Sequence, residues 1–197
     1  MTVLGLLLAA GAGRRIGTPK ALLRDRTGTP FVARAVGVLL AGGCDLVTVV
    51  TGASAEHAAG ILDDTGWSDE AAVDVVVADD WAEGMGASLR AGLSAVQASD
   101  ASCVMVTLVD LPDVGASVVR RMLSRQPGDR AVLARATYAG VPGHPVLLGR
   151  DHWAGVVAAA HGDRGARGYL AEHPPLLVEC GDLATGRDVD TPQDLRD

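Results

Sequence analysis

Aromatic residues are scarce in this chain, and it has no long apolar run and no basic run. Phe, Trp and Tyr make up 3% of its 197 residues, which suits a compact α/β protein with small side chains. The apolar opening is too short to span a bilayer and no basic region precedes it, so we expect neither a signal peptide nor a membrane helix. The formal net charge of −7 argues against nonspecific nucleic-acid binding. We therefore expect neither a nucleic acid nor a membrane as a partner.

Cysteine is also sparse. The three cysteines, Cys44, Cys103 and Cys180, are widely spaced and form no metal-binding motif. Cys44 and Cys103 lie beside or within apolar runs, which favours packing in the core. This cysteine usage fits a reducing cytoplasm.

The chain is instead rich in Ala, Val, Leu and Gly, and its length suits one domain, residues 1–197, with a sizeable core. Apolar runs alternate with segments of helical periodicity, which predicts a mostly parallel sheet with right-handed crossovers. We expect strands at 3–8, 46–51, 73–77, 103–109, 131–136, 146–148 and 176–179. We expect helices at 30–41, 55–62, 114–124, 151–160 and 164–172, and a further helix that the segment 81–89 runs into and that ends near residue 97.

Several capping and loop residues can be assigned from their positions beside these elements. Helix caps are expected at Thr29, Ser54, Asp113 and Asp163, and a last helical turn from Thr191. The glycines and prolines of residues 140–145 predict a functional loop.

A loop rich in glycine and arginine follows the first strand and ends at Lys20. Ligands of open α/β sheets bind at this carboxyl edge of the strands. Glycines let the backbone approach a phosphate closely, and Arg14, Arg15 and Lys20 supply positive charge in an acidic chain. The loop therefore predicts an anion site, and a nucleotide polyphosphate is the anion that we expect.

Two common phosphate-binding motifs do not fit this loop. A P-loop requires Gly-Lys-Ser/Thr, whereas Gly17 is followed by Thr-Pro-Lys. The dinucleotide fingerprint requires a third glycine where Ile16 stands, and an acidic residue after the second strand, where the sequence has Thr51-Gly52. A dinucleotide-dependent oxidoreductase is therefore disfavoured.

The stretch Leu8-Ala9-Ala10-Gly11-Ala12-Gly13-Arg14-Arg15-Ile16-Gly17-Thr18-Pro19-Lys20 resembles the start of the MobA/MocA-like molybdenum cofactor nucleotidyltransferases. Their pattern is Leu-Ala-(Ala/Gly)-Gly-x-Ser-x-Arg-Met-Gly-x-x-Lys, from which Gly13 and Ile16 depart. The alternative for this stretch alone is a glycine-rich turn with its arginines in solvent.

Further segments resemble the same family and occur in its order from Leu4 to Leu195. They are Glu83-Gly84-Met85-Gly86-Ala87-Ser88-Leu89, Val109-Asp110-Leu111-Pro112, Val141-Pro142-Gly143-His144-Pro145-Val146 with Gly162-Asp163-Arg164-Gly165-Ala166-Arg167, and Asp188-Val189-Asp190-Thr191-Pro192-Gln193-Asp194. The resemblance implies an α/β fold of three layers around a mostly parallel sheet, Rossmann-like and similar to nucleotide-diphospho-sugar transferases. It also implies transfer of a nucleoside monophosphate to a phosphorylated acceptor.

Two aspartates are expected to hold Mg²⁺. Asp110 follows an apolar strand and so faces the same crevice as the glycine-rich loop, and Mg²⁺ often takes one or two carboxylates plus phosphates. Asp190 would complete the site. The alternatives are capping roles, for Asp110 before the next helix and for Asp190 before the last turn.

The resemblance also implies the remaining site residues. The expected catalytic residues are Arg15, Lys20 and Asp110, and the expected nucleotide-binding residues are Leu8, Ala9, Ala10, Gly11, Gly13, Lys20, Gly86 and Ser88. The expected acceptor-binding residues are His144, Arg164 and Arg167. For the last motifs the alternatives are structural: shaping a helix start for Gly86 and Ser88, and an exposed loop position for His144.

The implied substrates are CTP and molybdopterin or its molybdenum form, with molybdenum hydroxylase maturation factors as further partners. Ala10 favours CTP, because Leu-Ala-Ala-Gly looks like the cytidylyl-transferring members and Leu-Ala-Gly-Gly like the guanylyl-transferring ones. The alternatives are a guanylyltransferase, a transferase for a small phosphate acceptor, and a non-catalytic cofactor-binding maturation chaperone.

Overall fold

A computed structural model describes residues 2–125, 129–191 and 193–194. In chain order, the elements are β1 (Val3–Leu8), α1 (Phe31–Gly42), β2 (Leu46–Thr51), α2 (Ala55–Asp64), β3 (Val73–Val77), α3 (Met85–Ala95), β4 (Cys103–Leu108), α4 (Ala116–Arg125), β5 (Leu133–Tyr138), β6 (Val141–Gly149), α5 (Arg150–Ala159), α6 (Arg167–Glu172) and β7 (Leu176–Glu179). Among the described residues, no helix is long and apolar enough to cross a membrane.

The strands form one sheet in the order β3-β2-β1-β4-β6-β5-β7. Strands β3, β2, β1 and β4 pair in parallel, and β5 pairs in parallel with β7. Strand β6 runs antiparallel to both of its neighbours, β4 and β5. The expected mostly parallel sheet is confirmed, and its reversal at β6 divides it into two parts.

The core lies on both faces of the sheet, because strand β1 is buried at every position. One hydrophobic cluster joins the sheet to α1, α2 and α4, and the other joins it to α3, α5 and α6. This confirms the expected three layers. All three cysteines are buried and unpaired, which confirms the core packing predicted for Cys44 and Cys103.

The expected loop at residues 140–145 is wrong except at its first residue. Residues 141–145 begin β6, which forms a hairpin with β5 through a turn at Ala139 (φ 50°) and Gly140 (φ 79°). The Glu179 carboxylate holds this turn, since it accepts hydrogen bonds from the backbone N–H groups of Ala139 and Gly140 and from the Thr137 hydroxyl. The carboxylate comes from β7, so local sequence gave no sign of the hairpin.

Several expected caps are also wrong. Helix α1 begins at Phe31, and its cap position is Pro30 rather than Thr29. Ser54 does stand at the cap position of α2, as expected, although its side chain makes no capping hydrogen bond. Helix α6 begins only at Arg167, so Asp163 lies too early to cap it.

Contacts of the tail replace the expected cap at Asp113 and the alternative capping role of Asp190. The Asp113 carboxylate accepts hydrogen bonds from the Thr185 N–H and hydroxyl, which fixes the chain before Asp190. The Asp194 carboxylate, rather than that of Asp190, accepts the N–H groups of Asp190 and Thr191. Most of the expected last helical turn falls on residue 192 and residues 195–197, outside the described residues.

The contact of α3 with the segment after α5 gives a test of this packing. A Cβ at Gly86 would lie 2.9 Å from backbone atoms of Ala160 and His161, which cannot yield as a flexible side chain would. We predict that Gly86→Ala lowers the free energy of unfolding in urea by about 1–3 kcal/mol.

Gly60, in α2, provides the matched control, because a Cβ there would meet no heavy atom within 4 Å apart from its chain neighbours and the backbone of its own helix. Gly60→Ala should raise stability by about 0.5–1 kcal/mol through helix propensity. Equal effects of the two substitutions would contradict the described contact at Gly86.

Candidate functional site

The loop after β1 is shaped so that it returns Lys20 to the sheet edge. Gly13 has a φ of +61°, and a Cβ there would lie 1.8 Å from the backbone oxygen of Thr18, so only glycine fits this turn. The Gly13 carbonyl accepts the N–H groups of Ile16 and Gly17. Ala21, which is 1% exposed, anchors the short 3-10 turn that begins at Lys20.

Lys20 lies at the centre of an ionic cluster. Its Nζ donates hydrogen bonds to Asp110 Oδ2 and Asp190 Oδ1, each at 2.7 Å. Asp110 follows β4, and its carbonyl accepts the Val189 N–H at 2.9 Å, which sets Asp190 beside it. Arg15 donates to the other oxygen of Asp190 at 2.7 Å. The arrangement brings together four predicted site residues from three distant parts of the chain, and both aspartate side chains are committed to this cluster rather than to helix caps.

The environment affects the two carboxylates in opposite directions. Burial raises the pKa of Asp110, and the hydrogen bond from Lys20 offsets only part of that effect. The hydrogen bond from Lys20 lowers the pKa of Asp190, whose side chain is more exposed. Partial burial lowers the pKa of Lys20, but its two carboxylate partners outweigh burial and leave that pKa raised. Lys20 is therefore a cation in this site.

The residues around Lys20 fit a divalent metal ion that also binds a substrate. Asp110 Oδ1 is buried without a hydrogen-bond partner, which is a costly arrangement unless another group can bind that oxygen. Among the described residues, no cluster of three or more His, Cys, Asp and Glu side chains could hold a metal by itself. Two carboxylates with phosphates and water are the arrangement typical of Mg²⁺.

A cavity of about 560 Å³ opens beside the ionic cluster. We call it the nucleotide cavity, after the role that the sequence predicts for residues lining it. The predicted site residues that line it are Leu8, Ala10, Gly11, Gly13, Arg15, Lys20, Ser88, Asp110 and Asp190. Ala9 and Gly86 do not line it, because Ala9 is buried in the core and Gly86 packs on the backbone of residues 160–161.

Trp81, Glu83 and Asp163 are among the lining residues of this cavity that were not predicted as site residues. Trp81 lies against Gly52, where a Cβ would be 2.7 Å from the Trp81 side chain and 2.8 Å from Ala10 Cβ. Glu83 is held by Arg90 through a 2.7 Å ion pair. Trp81 precedes a recognised motif and Glu83 begins it, but their placement depends on contacts with Gly52 after β2 and with Arg90 in α3.

A second cavity of about 280 Å³ lies next to the first, and we call it the acceptor cavity. It contains the three predicted acceptor-binding residues, His144, Arg164 and Arg167, together with Arg135 and Asp188. The two cavities share the walls formed by Leu8, Met85 and Leu108.

Arg135 was missed because it stands alone in a strand with no neighbouring motif. It is half-buried, and its guanidinium donates to the Gly143 carbonyl at 3.0 Å and the Pro142 carbonyl at 3.3 Å. Burial lowers the pKa of Arg135, and the nearby Arg167 lowers it further. Two guanidinium groups that repel each other in one cavity indicate an anionic ligand.

His144 is neutral at physiological pH. Burial lowers its pKa to about 4, and the charges of Arg135 and Arg167 act in the same direction. The residue therefore offers a neutral imidazole to the acceptor cavity and adds no positive charge.

The sequence matches, over residues 5–176, a family model described as the MobA-like NTP transferase domain. It is 36% identical over 204 residues to nicotine blue oxidoreductase of Paenarthrobacter nicotinovorans, and the match covers 98% of this chain and 94% of that protein.

Solved structures share the fold over nearly their whole length. Rv0371c of Mycobacterium tuberculosis H37Rv is 29% identical with a TM-score of 0.80, covering 100% of this chain and 96% of that chain. A structure of Rv0371c in complex with manganese is 26% identical with a TM-score of 0.71, and the match covers 100% of this chain and 97% of that chain. A nucleotidyl transferase from Methanothermobacter, at 21% identity, has a TM-score of 0.79 and coverage of 98% and 94%.

The neutral state of His144 predicts a loss of stability in acid. An unfolded histidine takes up a proton near pH 6.5, whereas folded His144 does so only near its pKa of about 4. Its contribution to stability is therefore present above pH 6.5 and lost as the pH falls toward 4, by about 2–3 kcal/mol. The free energy of unfolding in urea, measured at pH 7, 5.5 and 4.5, should depend less on pH in His144→Gln than in the wild type. An NMR titration of His144 with a pKa near 6.5 would contradict this.

Proposed function

Because the chain belongs to the MobA-like NTP transferase family, we propose that it transfers CMP from CTP to a phosphorylated acceptor, molybdopterin or its molybdenum form. The observation that carries this proposal is the joining of Lys20, Asp110 and Asp190 at the floor of the nucleotide cavity. A metal–triphosphate complex carries both positive and negative charge. Two carboxylates suit the metal ion, and a cation beside them suits the phosphates.

The reaction is an in-line displacement. A phosphate oxygen of the acceptor forms a bond to the α-phosphorus of CTP, and the bond from that phosphorus to the bridging oxygen breaks. Pyrophosphate leaves with the bonding electrons. The attacking phosphate is already ionised, so no strong general base is required, and catalysis depends on positioning and on neutralising charge.

The residues of the chain supply that neutralisation and positioning. Lys20 and Arg15 bind the triphosphate and oppose the charge that develops on pyrophosphate. Asp110 and Asp190 would hold Mg²⁺, which when bound neutralises charge on the phosphates. The structure of Rv0371c in complex with manganese supports a divalent ion as the cofactor.

The neighbouring cavities support transfer between two bound substrates. The nucleotide cavity holds CTP along Leu8, residues 10–13 and Ser88, and the acceptor cavity holds the pterin phosphate on Arg135, Arg164 and Arg167. Because the cavities share Leu8, Met85 and Leu108, the acceptor phosphate can approach the α-phosphate without leaving the protein. The CTP preference rests on Ala10 in the first motif.

A direct experiment incubates the protein with Mg²⁺, molybdopterin and each of the four NTPs and measures pyrophosphate. We expect release with CTP. Release with GTP would instead favour the guanylyltransferase, and release with a sugar or alcohol phosphate would favour another acceptor. Tight binding of molybdopterin without any release would favour the maturation chaperone.

The relative named nicotine blue oxidoreductase favours a second candidate function, an oxidation or reduction that involves nicotine blue. This reaction would leave the pair of carboxylates without a role, since an oxidation or reduction releases no pyrophosphate. The test measures the oxidation of NADH or NADPH in the presence of nicotine blue, through the fall in absorbance of the reduced dinucleotide. Oxidation that needs the enzyme and persists in Asp110→Ala, with no pyrophosphate release from any NTP, would replace the transferase proposal.

For the transferase, Asp110→Ala should lower turnover by about 10²–10³-fold, the usual effect of losing one preorganised electrostatic group. Asp151→Ala is the matched control, because that carboxylate is exposed and pairs with Arg130 on the surface. It should leave turnover near that of the wild type. Near-normal turnover in Asp110→Ala would reject its role as a metal ligand.

A further inference from the structure

Lys20 already occupies the position of a bridging cation between the two carboxylates. Its Nζ lies 2.7 Å from an oxygen of Asp110 and 2.7 Å from an oxygen of Asp190, so those oxygens are within twice that distance of each other. Asp110 lies 90 positions and Asp190 lies 170 positions away from Lys20 in the sequence. Without a cation between them, two ionised carboxylates at this separation would repel each other.

The position is also sheltered from water. The side chains of Lys20 and Asp110 are 18% and 14% exposed, whereas Arg15, the other cation on Asp190, is 78% exposed. Solvent therefore screens the charge of Arg15 far more than the charge of Lys20. Lys20 is the cation that holds this pair of carboxylates together.

A divalent ion and the Lys20 ammonium would compete for the same two carboxylates. A metal bound by both carboxylates needs at least one oxygen of Asp110 and one of Asp190. Lys20 holds one oxygen of each, while Asp110 Oδ1 has no partner. Lys20 also lines the nucleotide cavity, so a bound triphosphate would offer its ammonium new anionic partners.

We propose that Lys20 is a positioning residue that holds Asp110 and Asp190 together in the free protein and yields them to a divalent ion only when a triphosphate is bound. This rests on the proposed function. The metal then enters with its nucleotide, and the protein alone binds the metal weakly. The same side chain first preserves the metal site and afterwards binds the triphosphate.

The test measures Mn²⁺ binding without nucleotide, by electron paramagnetic resonance of the free ion, at one ionic strength. Lys20→Met should bind Mn²⁺ more tightly than the wild type by about 10- to 1,000-fold, the range over which a close charge alters ion binding to a carboxylate. Arg15→Met is the matched control, because it removes the same charge from Asp190 but leaves the bridge. It should tighten binding by less than about fivefold.

A second measurement needs no variant and so does not depend on Lys20→Met folding. The wild type should bind Mn²⁺ at least about tenfold more tightly with a non-reactive CTP analogue than without it, after correction for the ion bound to free nucleotide. Equal Mn²⁺ affinities of Lys20→Met, Arg15→Met and wild type, with tight binding to each, would overturn the exchange and leave the transferase proposal standing. Absence of Mn²⁺ binding in every form, with or without nucleotide, would overturn both.

Discussion

The site depends on one interaction, the bridge from the Lys20 ammonium to the carboxylates of Asp110 and Asp190. It joins the loop after β1 and the residues after β4, its paired neighbour, to the tail of the chain, whose described residues after β7 lie in no strand. The tail is set by the bond from the Val189 N–H to the Asp110 carbonyl and by the tether between Asp113 and Thr185. Backbone contacts thus bring like charges together, and the lysine makes their proximity tolerable.

The sheet topology explains why two cavities lie beside this bridge. The parallel strands β2, β1 and β4 end at one edge, where Gly52, the glycine-rich loop and Asp110 follow them. The nucleotide cavity therefore extends from Trp81, which packs at Gly52, to the ionic cluster at β4. Strand β6 then reverses direction and brings His144 to the far side of β4. The reversal gives the acceptor cavity walls of its own, lined by arginine.

The parts of the protein that depend on local pattern could be predicted from the sequence. Strand β1 is buried on both faces and therefore appears as a continuous apolar run, and Lys20 and Asp110 follow strands whose ends must meet at one edge. The parts that depend on distant partners could not be predicted. The hairpin at residue 140 is held by the carboxylate of Glu179 from β7. Asp113 accepts hydrogen bonds from Thr185 instead of capping a helix, and Arg135 lies in a strand that carries no motif. The family match confirms the resemblance on which the motif assignments rest.

The central claim is that Asp110 and Asp190 together hold one divalent ion on a nucleotide triphosphate. A crystal grown with Mn²⁺ and a non-reactive CTP analogue tests it through the anomalous scattering of manganese. The account predicts one anomalous peak within coordination distance of both carboxylates and of the triphosphate, with Lys20 Nζ moved onto a phosphate oxygen. A manganese peak that touches neither aspartate, or a triphosphate bound away from Lys20, would contradict the account.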